Sequence, residues 1–331
     1  MPTVASLGER ALIARITSKL AMPGWVVVGP GDDAAVVERA RGALDVLTTD
    51  ASIDGVHFES RLVPADAIGH RALAVNLSDL AAMGARPRAA LLSLALPDSL
   101  GVGDLDALVD GLLGLAATHG VTLIGGNITR TPGPLMIDVT AIGSVRPRRV
   151  LTRAGARPGD DLYVTGTLGD AATGLKSLRA GDAPGVAPLR AIERYLRPVP
   201  RVRAGRLLGG HRAASSCIDL SDGLADGVRQ IADASSVGVA LDGPAIPIAR
   251  DVRDWHARAG SDATETALSG GDDYELLFTV RPAHRGRLRA VRTALGGLPI
   301  TRVGRVTRGR DLIIADGAVT RDVGSGFEHF R

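Results

Sequence analysis

The chain has 331 residues, 45% hydrophobic but only 3% aromatic, which allows two domains of ordinary size with aliphatic cores and disfavours base stacking. The net charge is +3 and the basic residues are scattered arginines, with Lys19 and Lys176 the only lysines; with no dense basic run and no zinc-finger or RNP-type signature, the pattern argues against nucleic acid. Cys217, the single cysteine, rules out an internal disulfide and a cysteine-based zinc site, and reads as a small core residue.

Ser6-x-x-Glu9 reads as a capping box opening a helix to Leu20. Glu9, Arg10 and Arg15 interrupt this N-terminal stretch, so no signal peptide is read and a soluble, cytoplasmic protein is expected. Trp25 to Val28 is a short strand running into Gly29-Pro30-Gly31-Asp32-Asp33-Ala34. Two adjacent carboxylates would repel a pyrophosphate unless a cation lay between them, so this is a turn or a cation site and not a dinucleotide fingerprint. Ala34 to Val37 and Ala43 to Thr49 read as strands, the second ending in Thr48-Thr49-Asp50, followed by Asp54-Gly55-Val56-His57-Phe58.

Pro64 to Met83 is read as a helix, because Leu73, Leu77, Leu80 and Met83 recur at helical spacing. Asn76 and Asp79 sit inside it, although both residue types prefer caps and turns. A carboxylate in so apolar a helix needs a partner, and with lysine nearly absent a metal ion is a plausible one. Ala89 to Leu96 is a strand, Gly103 to His119 a helix and Thr122 to Ile124 a strand stopping at Gly125-Gly126-Asn127. The uncharged run Gly111 to Thr129 contains His119-Gly120 and Gly125-Gly126, so it is helix, turn and strand and no membrane span. Leu135 to Val145 is a longer strand, and residues 1–150 are expected to form one domain and 151–331 another.

The second half restarts with the strand Asp161 to Thr165 and the turn Gly166-Thr167-Leu168-Gly169-Asp170, which opens a helix. Gly169-x-x-x-x-Gly174-Leu175-Lys176-Ser177 has one residue too many before its lysine to be a P-loop. Leu189 to Leu196 is a helix; Ser216 to Leu220 a strand entering Ser221-Asp222-Gly223; Leu224 to Ala234 a helix; Val237 to Leu241 a strand; Asp251 to Gly260 a helix. Ser269-Gly270-Gly271-Asp272-Asp273 precedes the strand Tyr274 to Val280. Ala283 to Leu295 is a helix, followed by strands Thr301 to Val306 and Asp311 to Ala315. The alternation in both halves predicts an α/β fold.

Six strand ends or turns share one chemistry: Gly31-Asp32-Asp33, Thr49-Asp50, Asn76 with Asp79, Gly126-Asn127, Asp219 with Ser221 and Asp222, and Gly271-Asp272-Asp273. Each sets carboxylate, amide or hydroxyl oxygen beside glycine or a small residue. Hard oxygen donors suit Mg²⁺, which shares its shell with phosphates, and glycine lets the backbone approach them. From the residues alone this favours a metal-dependent ATP-using enzyme, with a metal-dependent phosphate-ester hydrolase as the alternative.

The ordered set of motifs resembles the thiamine-monophosphate kinase family. It comprises Gly31-Asp32-Asp33-Ala34-Ala35-Val36, Thr48-Thr49-Asp50 with Gly55-Val56-His57-Phe58, Asn76-Leu77-Ser78-Asp79-Leu80-Ala81-Ala82-Met83-Gly84, Val164-Thr165-Gly166-Thr167-Leu168-Gly169-Asp170, Ile218-Asp219-Leu220-Ser221-Asp222-Gly223-Leu224 and Ser269-Gly270-Gly271-Asp272-Asp273-Tyr274-Glu275-Leu276. The resemblance implies a two-domain α/β (α+β) fold like that of aminoimidazole-ribonucleotide synthetase, with the N-terminal sheet forming a barrel across a homodimer and a C-terminal α/β domain. It implies direct, Mg²⁺-assisted transfer of the ATP γ-phosphate to thiamine monophosphate, with no catalytic side chain in a covalent role, no nucleic acid and no membrane. Carried over, the metal positions are Asp33, Thr48, Thr49, Asp50, Asp79, Asn127, Asp219 and Asp222; the ATP positions are Asp33, Thr48, Gly126, Arg153 and Ser221; the substrate positions are His57, Asp272 and Phe327.

Three positions depart from that family. Asn127 stands where the family has a magnesium-binding Asp, Asp272 where it has Glu, and Phe327 where it has Tyr. An amide oxygen can still ligate Mg²⁺ but brings no charge. An acid at 272 can face the cationic part of thiamine, and an aromatic at 327 can pack against a ring. Among relatives of the fold, selenophosphate synthetase would need a reactive Cys or selenocysteine with a nearby Lys at the N-terminus, and the hydrogenase-maturation relative ends in a functional Cys, whereas this chain ends His329-Phe330-Arg331. A purine-biosynthetic synthetase fits the motifs less well. A homologue that binds nucleotide or thiamine phosphate without turnover is the alternative of a different class.

Overall fold

The computed structural model describes residues 2–183, 185–317 and 319–324. These fall into two units, one holding the chain through Leu80 with Arg86–Pro147, the other holding Ala81–Ala85 with the chain from Arg148 onward.

The first unit contains α1 (Val4–Leu7), α2 (Glu9–Thr17), β1 (Val26–Val28), β2 (Val36–Val37), β3 (Leu44–Ile53), α3 (Ala65–Ala82), β4 (Arg86–Pro97), α4 (Val102–His119), β5 (Thr122–Thr131) and β6 (Met136–Val145). The N-terminal helix is split: Gly8 takes φ 78° and starts α2, while the Ser6 hydroxyl donates to Thr3 O at 2.7 Å. The capping box therefore does not form, because the left-handed glycine restarts the helix between its two members.

The main sheet runs β3-β6-β4-β5, with only β4 and β5 parallel. Along β6 burial alternates strictly, Ile137, Val139 and Ala141 being buried and Asp138 and Thr140 partly open, the period-2 pattern of a sheet with one covered face. Helices α3 and α4 lie on the covered face and touch backbone to backbone. A Cβ on Gly69 of α3 would lie 1.8 Å from Leu108 O, and one on Gly111 of α4 would lie 1.9 Å from Asp66 O. Both glycines are required by that crossing.

Two strands run further than their sequences suggest. β3 continues through Asp50 to Ile53, zipped residue by residue to β6, so Thr48-Thr49-Asp50 lies inside a strand and not at its end. β5 continues through Gly125-Gly126-Asn127 to Thr131, with a register shift between Ala90 and Leu91 that leaves Ile124 as the extra residue. Glycine allows both the bulge and close approach, and the ladder carries through it.

The second unit contains β7 (Asp161–Thr165), α5 (Asp170–Ala180), α6 (Leu189–Leu196), α7 (Val202–His211), β8 (Ser216–Asp219), α8 (Leu224–Ser235), β9 (Gly238–Asp242), α9 (Arg250–Ala259), α10 (Ala263–Ser269), β10 (Leu276–Val280), α11 (Arg285–Leu295), β11 (Ile300–Thr307), β12 (Leu312–Asp316) and β13 (Val319–Asp322). Its sheet runs β13-β12-β9-β11-β7-β10-β8, and only β12 with β9 is parallel. This is the α+β form of the expected mixed fold. β7 and β10 are buried at every residue, and their polar members Asp161, Thr165 and Thr279 are hydrogen-bonded, Asp161 to Arg285 and Arg302, Thr165 to Glu275 and Thr279 to Ser215 and Ser216. α7, α10 and β13 are not among the elements expected from the sequence. α7 carries three glycines, and Gly205 is needed there because a Cβ would stand 1.9 Å from Ala81 O; tertiary packing overrides poor helix propensity. α10 is capped by Asp262, which accepts from Thr264 N at 2.7 Å.

Candidate active site

In the first unit, Asp79 projects from α3 toward the covered face of β3, where the Thr48 hydroxyl donates to its carboxylate. No arginine or lysine pairs with Asp79 among the described residues. One helical turn earlier, Asn76 is fully buried; its Nδ2 donates to Ala72 O at 3.1 Å, and its Oδ1 has no partner. An orphaned acceptor beside an unpaired carboxylate is costly without a cation or bound water. Asp50 has the same strand parity as Thr48 and thus the same face.

Thr49 points the other way. Its hydroxyl donates to Asp138 Oδ1 at 2.9 Å and lies 3.1 Å from Thr140 Oγ1. The Thr48 and Thr49 side chains cannot reach one ion from a single strand. On the Thr49 side a cavity of about 760 Å³ is lined by Asp32, Asp33, Gly126, Asn127, Asp138 and Thr140, among others. Asp138 and Asn127 share a rung through Ser93. Gly126 has a structural reason to be glycine, since a Cβ would lie 1.9 Å from Leu92 O. His57 sits in the turn after β3, where Ile53 N donates to its Nδ1 at 3.1 Å; the neutral ring therefore carries its proton on Nε2. No group of three His, Cys, Asp or Glu is close enough to hold a metal among the described residues.

In the second unit the turn after β8 and the turn before β10 are laced together. Asp219 ends β8 and is buried. Leu220 N donates to Glu275 O at 2.8 Å, Asp272 N to Ser221 O at 2.7 Å and Tyr274 N to Leu220 O at 2.9 Å. Gly271 lies so close to this turn that a Cβ would stand 2.4 Å from Ser221 O. Gly223, at φ 96°, then begins α8. The Ser221 hydroxyl donates to Asp222 Oδ2 at 2.9 Å. The structure therefore brings Asp219, Ser221, Asp222 and Asp272 onto two adjoining turns. Arg153 is exposed, and Phe327 lies outside the described residues.

Behind these turns stands a charged layer of Asp170, Asp273 and Glu275, of which only Asp273 is among the oxygen donors named from the sequence. Asp273 accepts from Gly169 N at 2.7 Å and Ala171 N at 3.2 Å, holding the start of α5. Desolvation, with Asp170 next in weight, pushes the Asp273 carboxyl well above the usual carboxylate range. Asp170 is clamped by Arg190 at 2.6 and 2.8 Å, a bond that raises the Arg190 pKa further. Glu275 receives Arg201 Nε and the Thr165 hydroxyl, each at 2.6 Å. Its carboxyl fills the space a side chain at Gly166 would need, 2.1 Å from an added Cβ. The Asp-Asp-Tyr-Glu run was the available signal: adjacent acids before an apolar strand need partners of their own.

Residues 31–145 match the family described as AIR synthase related protein, N-terminal domain, and residues 157–317 match its C-terminal domain. The chain is 40% identical to thiamine-monophosphate kinase of Escherichia coli (strain K12), over 98% of each sequence. The crystal structure of thiamine-monophosphate kinase from Stenotrophomonas maltophilia K279a is 40% identical with a TM-score of 0.83, covering 95% of this chain and 98% of that one. A structure of AaThiL complexed with AMPPCP and TMP is 31% identical with a TM-score of 0.75, covering 95% of each chain. A chain with both domains matched and end-to-end similarity of this order belongs to the thiamine-monophosphate kinase family.

Proposed function

We propose that the protein catalyses ATP-dependent phosphorylation of thiamine monophosphate, giving thiamine diphosphate and ADP. A phosphate oxygen of the acceptor forms the new P–O bond to the γ-phosphorus as the bond to the β-phosphate oxygen breaks. The observation that carries this reading is the similarity, over 95% of both chains, to AaThiL complexed with AMPPCP and TMP. The oxygen-rich, cysteine-free donor set supports it.

Several Mg²⁺ ions fit that donor set. In the first unit Asp33, Thr48, Asp50, Asp79 and the amide of Asn127 are the candidate ligands, with Thr49 contributing its backbone carbonyl. In the second unit they are Asp219 and Asp222. Asp79, which no arginine or lysine neutralises, and the buried Asn76 Oδ1, which has no partner, are donors that such a cation and its waters would take up. Bound Mg²⁺ would neutralise the transferring phosphates. The chain's own residues do the rest: Asp33, Thr48, Gly126, Arg153 and Ser221 bind ATP, while His57, Asp272 and Phe327 bind the acceptor. No side chain forms a phosphoenzyme. In this reading residues 1–150 serve as the ATP- and metal-binding and dimerisation domain and residues 151–331 complete the nucleotide and substrate site, and the active form is a cytoplasmic homodimer joined through the N-terminal sheet. No helix among the described residues is long and apolar enough to cross a membrane.

The test is transfer of label from γ-labelled ATP. Label is expected in the terminal phosphate of thiamine diphosphate, none on the protein, with loss on EDTA and recovery on added Mg²⁺. Label retained on the protein, or metal-independent transfer, contradicts the reading.

A further inference from the structure

We propose that Asn76 positions the hydrated cation on Asp79: its Oδ1 accepts a hydrogen bond from a water on the bound ion, and without the ion the folded chain carries an unpaired buried oxygen. The inference rests on the reading above that a Mg²⁺ ion meets Asp79.

Asn76 lies in α3 among Leu73, Leu77 and Leu80, and all four are 0% exposed. An amide is a poor choice for packing there, since it is a weak helix former and its polar atoms lose water on burial. One of those atoms is satisfied: Nδ2 donates to Ala72 O at 3.1 Å. This bond also fixes which end of the amide is oxygen, because a flipped amide would set Oδ1 against the Ala72 carbonyl. The two amide atoms diverge from Cγ, so Oδ1 is turned away from Ala72. It has no hydrogen-bond partner.

Asp79 stands three residues on, a neighbour of Asn76 on the helix surface. Its carboxylate accepts from the Thr48 hydroxyl and pairs with no arginine or lysine among the described residues. The carboxylate and the amide oxygen are both acceptors, so neither can satisfy the other. A water alone would answer Asn76 and leave the charge of Asp79. A hydrated divalent cation answers both: the carboxylate enters its shell, and a water kept in that shell donates to Oδ1. Mg²⁺ suits this division, because it gives up its waters reluctantly and binds through few carboxylates. The neutrality of the amide matters too. It orients the water without adding charge to the site, as the outer partners of metal ligands do. The same oxygen makes the ion a stabiliser of the first unit, since binding removes the cost of leaving it unpaired.

The experiment compares wild type, Asn76→Leu and Asp79→Ala as full chains without nucleotide. It reads Mn²⁺ binding from the electron paramagnetic resonance of the free ion, and Tm in EDTA and in Mg²⁺. Leucine keeps the branched shape of asparagine and removes both polar atoms. Asp79→Ala is expected to lose one Mn²⁺ site. Asn76→Leu is expected to keep that site with affinity about tenfold weaker, the usual effect of losing an outer partner of a metal. In EDTA Asn76→Leu should melt at or above wild type, because the unpaired oxygen is gone, and Mg²⁺ should raise its Tm less than it raises that of wild type. Asn76→Ala, which adds no bulk, should show the same tenfold loss should the leucine variant fail to fold. Unchanged Mn²⁺ affinity in the Asn76 variants, with the site lost in Asp79→Ala, overturns the role of Asn76 and leaves the metal reading intact. A Tm well below wild type in EDTA, with the full Mg²⁺ increment retained, shows a merely structural amide and also overturns it. Mn²⁺ binding unchanged in Asp79→Ala removes the metal reading at Asp79 and the inference with it.

Discussion

Thr48 and Asp79 share the covered side of the first sheet, whereas the Thr49 hydroxyl is bonded to Asp138 on the other. Asp79→Ala should lower kcat/KM at least about a hundredfold while leaving Tm and circular dichroism close to wild type, because it removes a ligand and its charge. Thr48→Val should raise the Mg²⁺ concentration needed for half-maximal rate several-fold, and Thr49→Val should not, since a backbone carbonyl survives that change. Equal metal requirements in the two threonine variants would mean that strand parity does not decide which residue meets the ion. Asn127→Asp restores a charge on the cavity side and is expected to shift the same Mg²⁺ titration to lower concentration.

At the scale of elements, two packing arrangements yield predictions independent of activity. The α3–α4 crossing depends on Gly69 and Gly111, each within 2 Å of the other helix's backbone if given a Cβ. Gly69→Ala should cost about 1–3 kcal/mol in urea unfolding, because the helices must separate; an unchanged midpoint would show that the crossing can relax. In the second unit, His256 of α9 is buried against α5. The Thr173 hydroxyl donates to Gly169 O at 2.6 Å, so at 3.0 Å from Thr173 Oγ1 the His256 Nε2 carries the proton; Nδ1 accepts from Ser261 Oγ at 2.7 Å. Burial, and then Lys176, hold the His256 pKa below its ordinary value, with Asp262 opposing. The unfolded chain therefore takes up this proton first as pH falls. The contribution to stability is complete above about pH 6.5 and declines below it. Tm measured from pH 7.5 to 5.5 should fall less steeply in His256→Gln than in wild type, and parallel slopes would contradict the assignment.

For the molecule as a whole, what could be read in the sequence divides along physical lines. Elements set by local periodicity, such as α3 and α4, lie within a residue or two of their expected ends. Elements decided by tertiary contact did not announce themselves: α7 is rich in glycine because Gly205 meets another backbone, and β3 and β5 run on through Asp50 and Gly126 because ladder pairing overrides turn-like composition. The acids proposed to meet metal were legible as oxygen donors near glycine or small residues, but their faces were not, since parity depends on where a strand ends. The layer of Asp170, Asp273 and Glu275 was hidden because its arginines, Arg190 and Arg201, are distant in sequence. The mixed strand order of the second sheet was likewise invisible to alternation alone.

The most direct test is to incubate the protein with Mg-ATP and either thiamine monophosphate or free thiamine, and to separate the thiamine phosphates by chromatography. Thiamine diphosphate and equimolar ADP are expected from the monophosphate, and no phosphorylated product from thiamine. Product from thiamine, or ATP bound with no diphosphate formed from the monophosphate, would overturn the assignment of thiamine monophosphate as acceptor.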